Sequence, residues 1–239
     1  MQTPTMERIK REVRRLIFPP RCPSCDELLA PDEMSFCHSC EKLIKKVRGN
    51  YCMTCGRLMK KSGGLVCPDC SRFPHFFSEG RSLYEYEGPI RETVYRFKYK
   101  GRKSYADAFA HDANELWGEW IRASADIITP VPMNATKLKK RGYDQADVLA
   151  RAIAYECRVP YRHVLSRSRN TVPMKTLSRA DRQNNLKNAF QVGDFDVKLK
   201  RILLVDDIYT TGSTLDECAK VLLEKGASEV NGIYISIGG

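Results

Sequence analysis

The stretch Ile202-Leu203-Leu204-Val205-Asp206-Asp207-Ile208-Tyr209-Thr210-Thr211-Gly212-Ser213-Thr214 decides how the rest of this chain is read. Four aliphatic residues in a row read as a short strand buried on both faces, as in a parallel sheet covered by helices. Two adjacent carboxylates stand where that strand should end, and five small hydroxyl or glycine residues follow before a helical pattern begins at about Thr214. Backbone N–H groups in such a turn, with a helix N-terminus behind them, make a nest for a phosphate. Thr210, Thr211, Ser213 and Thr214 add hydroxyl donors, and Gly212 permits a positive φ or close ligand approach. Asp206 and Asp207 would repel that phosphate, so they are expected to face something that donates hydrogen bonds or carries positive charge: a ribose diol or Mg²⁺. A solvated acidic turn at a sheet edge is the plain alternative. No G-x-x-x-x-G-K-[ST] occurs anywhere, which removes the P-loop nucleoside triphosphatases.

Outward from that strand the text alternates. Residues 82–86 read as a strand, and Pro89 opens a helix containing Ile90, Val94 and Phe97. A second helical pattern runs from about 105 to 121, residues 125–131 are an apolar strand, and a basic loop and a long helix follow. Residues 163–166 and 188–193 are weaker strands, 201–205 is the core strand, and 230–237 closes the sheet. Leu215, Cys218, Ala219, Leu222 and Leu223 share one face of the helix between, which Gly226 ends, so Cys218 is expected in the core, with Cys157 likewise. The expected fold class is α/β: a mostly parallel sheet flanked by helices, with its site at the strands' carboxyl ends.

Two further loops suit a pyrophosphate, which needs several cations and a closely approaching backbone. One follows Pro130-Val131-Pro132 and carries Lys137, Arg141, Gly142 and Gln145; an ordinary basic helix start is the alternative. The other, residues 169–185, is polar, basic and poor in core residues, and reads as a mobile loop with Arg179 and Arg182.

Before the α/β region, Cys22-x-x-Cys25, Cys37-x-x-Cys40, Cys52-x-x-Cys55 and Cys67-x-x-Cys70 recur with a period of fifteen residues. Each C-x-x-C presents two thiolates to one metal, and a tetrahedral Zn²⁺ needs two such knuckles, so the pattern predicts two zinc ions. Spacing prefers sequential pairing, and a cross-braced pairing of first with third and second with fourth is also open. Such closed Cys₄ sites are structural, and they leave His38 and His75 no metal to bind.

The 239 residues carry a net charge of +11, an excess that favours polyanions, although solubility charge alone can account for it. Lys42, Lys45, Lys46, Arg48, Arg57, Lys60 and Lys61 fall between the knuckles with Phe36 and Tyr51, a mixture that suits single-stranded nucleic acid or a solvated face. Met6, Ile9, Val13, Leu16 and Ile17 make a basic amphipathic helix that packs on its own domain or lies on anionic lipid at the inner face of a membrane. No apolar run reaches transmembrane length and no signal-peptide pattern is seen, so a cytoplasmic protein is expected. The expected organisation is a basic helix over 1–20, a double zinc ribbon over 21–74 and an α/β domain over 75–239.

The opening stretch resembles the phosphoribosyl pyrophosphate (PRPP) loop of type I phosphoribosyltransferases. The chain as a whole resembles the ComF family: an amino-terminal double zinc ribbon, P-V-P followed by K-x-x-x-R-G-x-x-Q, then T-x-x-Q-x-x-L-x-R-x-x-R-x-x-N, and V-D-D-x-x-T-T-G-x-T-L. Thr171, Leu177, Arg179, Arg182 and Asn185 match the third element, while Met174 stands where the pattern usually has Gln. A thioether lacks an amide's donors. The resemblance implies Asp206 and Asp207 on the ribose hydroxyls and residues 210–214 around the 5′-phosphate. It places Lys137 and Arg141 as the catalytic cations on the pyrophosphate, with Mg²⁺ accompanying PRPP and a loop closing over the site. It further implies a role in natural competence, with single-stranded DNA and DNA-uptake or recombination proteins as partners. A metabolic phosphoribosyltransferase acting on a nucleobase, its ribbons merely structural, is the alternative.

Overall fold

The computed structural model describes residues 19–59, 64–168 and 185–238. The expected N-terminal helix, Lys60 and Lys61, and the stretch with Met174, Arg179 and Arg182 lie outside the described residues. Strands β1 (Gly80–Glu85), β2 (Ile127–Pro130), β5 (Arg201–Tyr209) and β6 (Glu229–Ile237) form one sheet in the order β1-β6-β5-β2, all pairs parallel. Strands β3 (Leu165–Arg167) and β4 (Phe190–Val192) form a separate antiparallel pair. The helices are α1 (His38–Glu41), α2 (Pro68–Arg72), α3 (Pro89–Tyr99), α4 (Tyr105–Ser124), α5 (Ala135–Arg141), α6 (Gln145–Cys157) and α7 (Ser213–Glu224).

The period-two rule divides β5 between two cores. Leu203 and Val205 face one core with Phe97, Phe109, Leu149 and Ile153 of α3, α4 and α6; Ile202 and Leu204 face the other with Leu215, Cys218 and Leu222 of α7. All four strand residues are fully buried, each burial stabilising by about 1.5–3 kcal/mol. Cys157 and Cys218 are buried core residues, as their helical spacing indicates.

Three features depart from the sequence reading. The core strand does not end at the acid pair, because β6 continues to pair beyond it, Asp206 with Tyr234 and Tyr209 with Ile237. The last strand does not close the sheet; it lies inside, between β1 and β5, where Val230, Ile233 and Ile235 are covered on both faces. The basic loop after β2 contains α5, started by Asn134, whose side chain accepts from the Thr136 N–H, and stopped at Gly142 in the left-handed conformation.

The two ribbons pack on opposite cores. Cys22, Phe36 and Ile44 join the α3, α4 and α6 side, whereas Cys52, Cys55, Cys67, Cys70 and Phe77 join the α7 side. Between them, residues 45–47 run antiparallel to β1, with the Val47 N–H donating to Leu83 and the Glu85 N–H to Lys45. That added edge explains why β1 is buried almost throughout instead of alternating.

Candidate functional site

Asp206 and Asp207 sit near the carboxyl end of β5, with the Thr210 to Thr214 turn beyond them leading into α7. Lys98, the last residue but one of α3, brings its Nζ to 2.9 Å from Asp207 Oδ1, and Arg141 Nη1 lies 3.8 Å from Asp207 Oδ2. Together with Lys137, Thr214, Arg167 and the Pro132, Met133 and Asn134 turn, these groups line a cavity of about 150 Å³. Four cations therefore converge on a small space lined also by three carboxylates, Asp144, Asp206 and Asp207, which is the charge pattern of a site for a polyanion bearing hydroxyl groups. Burial and the neighbouring Asp207 carboxylate push Asp206 up to about 7, opposed by the Asp207 N–H and the Lys98 ammonium. Desolvation in the cleft, then the Arg141 cation, lowers the Lys137 ammonium below its ordinary value.

The expected residues do not all face this space. Gln145 is fully buried and accepts from Arg141 Nη1 at 2.6 Å, so it stands behind the arginine and aims it. Gly142 has φ +75° with open space around its Cα; its role is to end α5 and so fix Arg141 and Lys137 at the cavity. Gly212 is different: besides its φ of +80°, an added Cβ would lie 2.6 Å from Tyr209 Oη and 2.8 Å from His75 Cε1. Lys98 was not legible as a site residue, since no motif marks it; the alternating aromatic and basic run Tyr95-Arg96-Phe97-Lys98-Tyr99-Lys100 was the available signal. Arg167, at the end of a weak strand, carried none.

His75 is no spare residue. Its buried ring packs against Phe77, with Nδ1 2.8 Å from Asp216 Oδ2 in the first turn of α7 and Nε2 3.4 Å from Tyr209 Oη. The tail of the second ribbon is thereby locked behind the Thr210 to Thr214 turn.

The cysteines pair sequentially. Cys22, Cys25, Cys37 and Cys40 form one cluster and Cys52, Cys55, Cys67 and Cys70 the other, with all four Sγ atoms of each within 4.8 Å of one another. The Sγ atoms of Cys25 and Cys37 are 3.7 Å apart and those of Cys55 and Cys67 3.8 Å, too far for disulfides. A tetrahedron of sulfurs about 2.3 Å from a central zinc has edges of about 3.8 Å, so the donor sets fit Zn²⁺. N–H groups of Cys55 and Cys67 point at Cys52 Sγ and favour its thiolate.

The ribbon face offered for nucleic acid is largely consumed within the chain. Phe36 is in the core, and Tyr51 packs edge-on against Trp117 with the Arg81 guanidinium 5.0 Å from its ring. Lys45 pairs with Glu87, Lys46 with Glu41, Asp112 and Glu115, and Arg48 with Glu115.

Comparison with known proteins agrees with this architecture. The Double zinc ribbon domain family matches residues 13–71 and the Phosphoribosyl transferase domain family residues 138–236. Competence protein ComFC of Bacillus subtilis is 31% identical over 62% of this chain and 59% of its own length. The DNA utilization protein YhgH of Salmonella typhimurium is 32% identical over 62% of this chain and 67% of its own. The chain belongs to the ComF family. Competence protein F of Haemophilus influenzae, 38% identical over 44% of this chain and 47% of its own length, is a further ComF-type relative, and the matches span about half to two thirds of these proteins. Purine phosphoribosyltransferase from Pyrococcus horikoshii Ot3 aligns at 15% identity and a TM-score of 0.36 over 56% of this chain and 83% of that one, too distant to add to the argument. Among the described residues no helix is long and apolar enough to cross a membrane.

Proposed function

We propose that this ComF-family chain binds PRPP together with Mg²⁺ at the carboxyl end of β5 and handles single-stranded DNA in natural transformation. The observation that carries the reading is the convergence of Lys98, Lys137 and Arg141 on the Asp206 and Asp207 pair beside the Thr210 to Thr214 turn. In this reading the turn and the α7 N-terminus take the 5′-phosphate, and the two carboxylates accept from the ribose hydroxyls. Lys137 and Arg141 neutralise the pyrophosphate, whose charge Mg²⁺ shares when bound. If the sugar is transferred, the anomeric carbon gains positive character as the pyrophosphate leaves, and the cations act on the developing charge of the leaving group. The DNA part of the proposal draws on the roles named in the relatives, competence and DNA utilization. The nucleobase-transferase alternative uses the same cavity and differs in its acceptor.

The test is calorimetric titration with PRPP and Mg²⁺, and single-stranded DNA binding measured against salt. PRPP binding at about one per chain and a DNA affinity that falls with salt are expected, because phosphate contacts release counterions. Absence of PRPP binding would overturn the site, and absence of DNA binding would favour the transferase alternative.

A further inference from the structure

Phe36 and Tyr51 are packed inside, yet the chain does present exposed rings among cations, next to residues that line the PRPP-type cavity. Tyr95 and Tyr99 are one helical turn apart on α3, with ring centroids 5.2 Å apart and residue exposures of 46% and 45%. The Arg141 guanidinium sits 4.8 Å from the Tyr99 ring centroid and donates to Tyr99 Oη at 3.3 Å, while the same arginine approaches Asp207. Lys98, beside Tyr99 in sequence, also reaches Asp207. The platform and the cavity therefore share a wall.

Resting on the DNA reading above, we infer that the exposed Tyr95 and Tyr99 pair of α3 is the base-stacking platform for a single-stranded nucleic acid, delivering the strand to the edge of the PRPP-type site. Charge supports this occupant. Residues 91–103 hold six Lys or Arg and one acid, Glu92, which is engaged by Arg96 at 3.0 Å. Arg91 on α3 and Lys100 and Lys103 just beyond it are exposed cations in the same stretch of chain as the two rings. A base has a π-face whatever its identity, so such a platform holds a strand with little sequence preference. Two large exposed rings held in contact would otherwise be an apolar liability on a surface.

The decisive probe is a labelled oligothymidine compared with an abasic oligonucleotide of equal length, which keeps the phosphates and removes the bases. Binding to the zinc-loaded full chain is read by fluorescence anisotropy over a salt series. We expect the wild type to prefer oligothymidine and the Y95A/Y99A variant to lose about tenfold or more for it. The variant's affinity for the abasic strand and its salt dependence should be unchanged, and Y95F/Y99F should retain binding because rings remain. An unchanged oligothymidine affinity in Y95A/Y99A overturns the platform while leaving the DNA reading in place. Equal losses for both oligonucleotides also overturn it, since the effect would not act through bases. No binding of either oligonucleotide by the wild type removes the DNA reading itself. Loss of a dimer in Y95A/Y99A on size-exclusion chromatography, at constant DNA affinity, would assign the rings to a second copy of the chain instead.

Discussion

The His75 imidazole and the Asp216 carboxylate meet at 2.8 Å across 141 residues of sequence, joining the tail of the second zinc ribbon to the helix that follows the Thr210 to Thr214 turn. The second carboxylate oxygen of Asp216 accepts from the Phe76 N–H at 3.0 Å. Because His75 also closes the space beside Gly212, the ribbon tail forms the rear wall of the Thr210 to Thr214 turn. Replacing Asp216 by Ala strands a buried ring nitrogen and a backbone N–H. A loss of about 1–3 kcal/mol in stability is expected, together with weaker PRPP binding, read by denaturant titration and calorimetry.

The acid pair supplies a sharper test. Asp206→Asn with Asp207→Asn should abolish PRPP binding while leaving zinc content at its wild-type level, since the pair lies outside both cysteine clusters. Undiminished calorimetric affinity in that variant would refute the assignment.

The pH dependence follows from Asp206, pushed up to about 7 by burial and Asp207. The folded chain holds this proton more tightly than the unfolded one, so Asp206 makes stability fall as pH rises from the ordinary carboxyl value of 3.8 to about 7. A ligand whose hydroxyls donate to the ionised carboxylate displaces the proton. PRPP affinity should thus increase between roughly pH 6 and 8, with proton release visible as a dependence on buffer ionisation heat. Lys98→Ala removes a cation that favours the ionised form and should move this profile to higher pH. An affinity independent of pH would contradict the burial of this carboxyl.

The two metal sites should differ in lability. Cys25 of the first cluster is exposed, whereas all four cysteines of the second are buried. A thiol-reactive mercurial is expected to release zinc in two phases of about one equivalent each, and Cys25→Ser should remove the fast phase. Simultaneous release of both equivalents would show that the ribbons open together.

Local chemistry made part of this protein legible. The four-residue aliphatic run identifies a buried parallel strand, with the acid pair toward its carboxyl end, because backbone pleat and side-chain polarity act within a few residues. The constant C-x-x-C spacing identifies two four-sulfur metal sites for the same reason. Strand order was not legible: β6 reads as a terminal strand, and only the pairing of Gly80 with Gly232 and of Ile202 with Val230 places it inside the sheet.

Charge and aromatic content misled where partners are distant in sequence. Lys46 looks like a surface cation on a basic ribbon, but Asp112 and Glu115 of α4 claim it, and Tyr51 is packed against Trp117 of the same helix. Conversely, nothing within a few residues of Lys98 or His75 tells of Asp207 or Asp216. The sequence by itself determined the α/β character, the cysteine sets and the acidic strand with its phosphate-sized turn, since these depend on near neighbours. The tertiary structure alone decided which cations reach the acid pair, which ribbon backs the turn and which rings stay outside. Those outcomes follow from long-range packing, where burial and ion pairing select among side chains that look alike in the linear text.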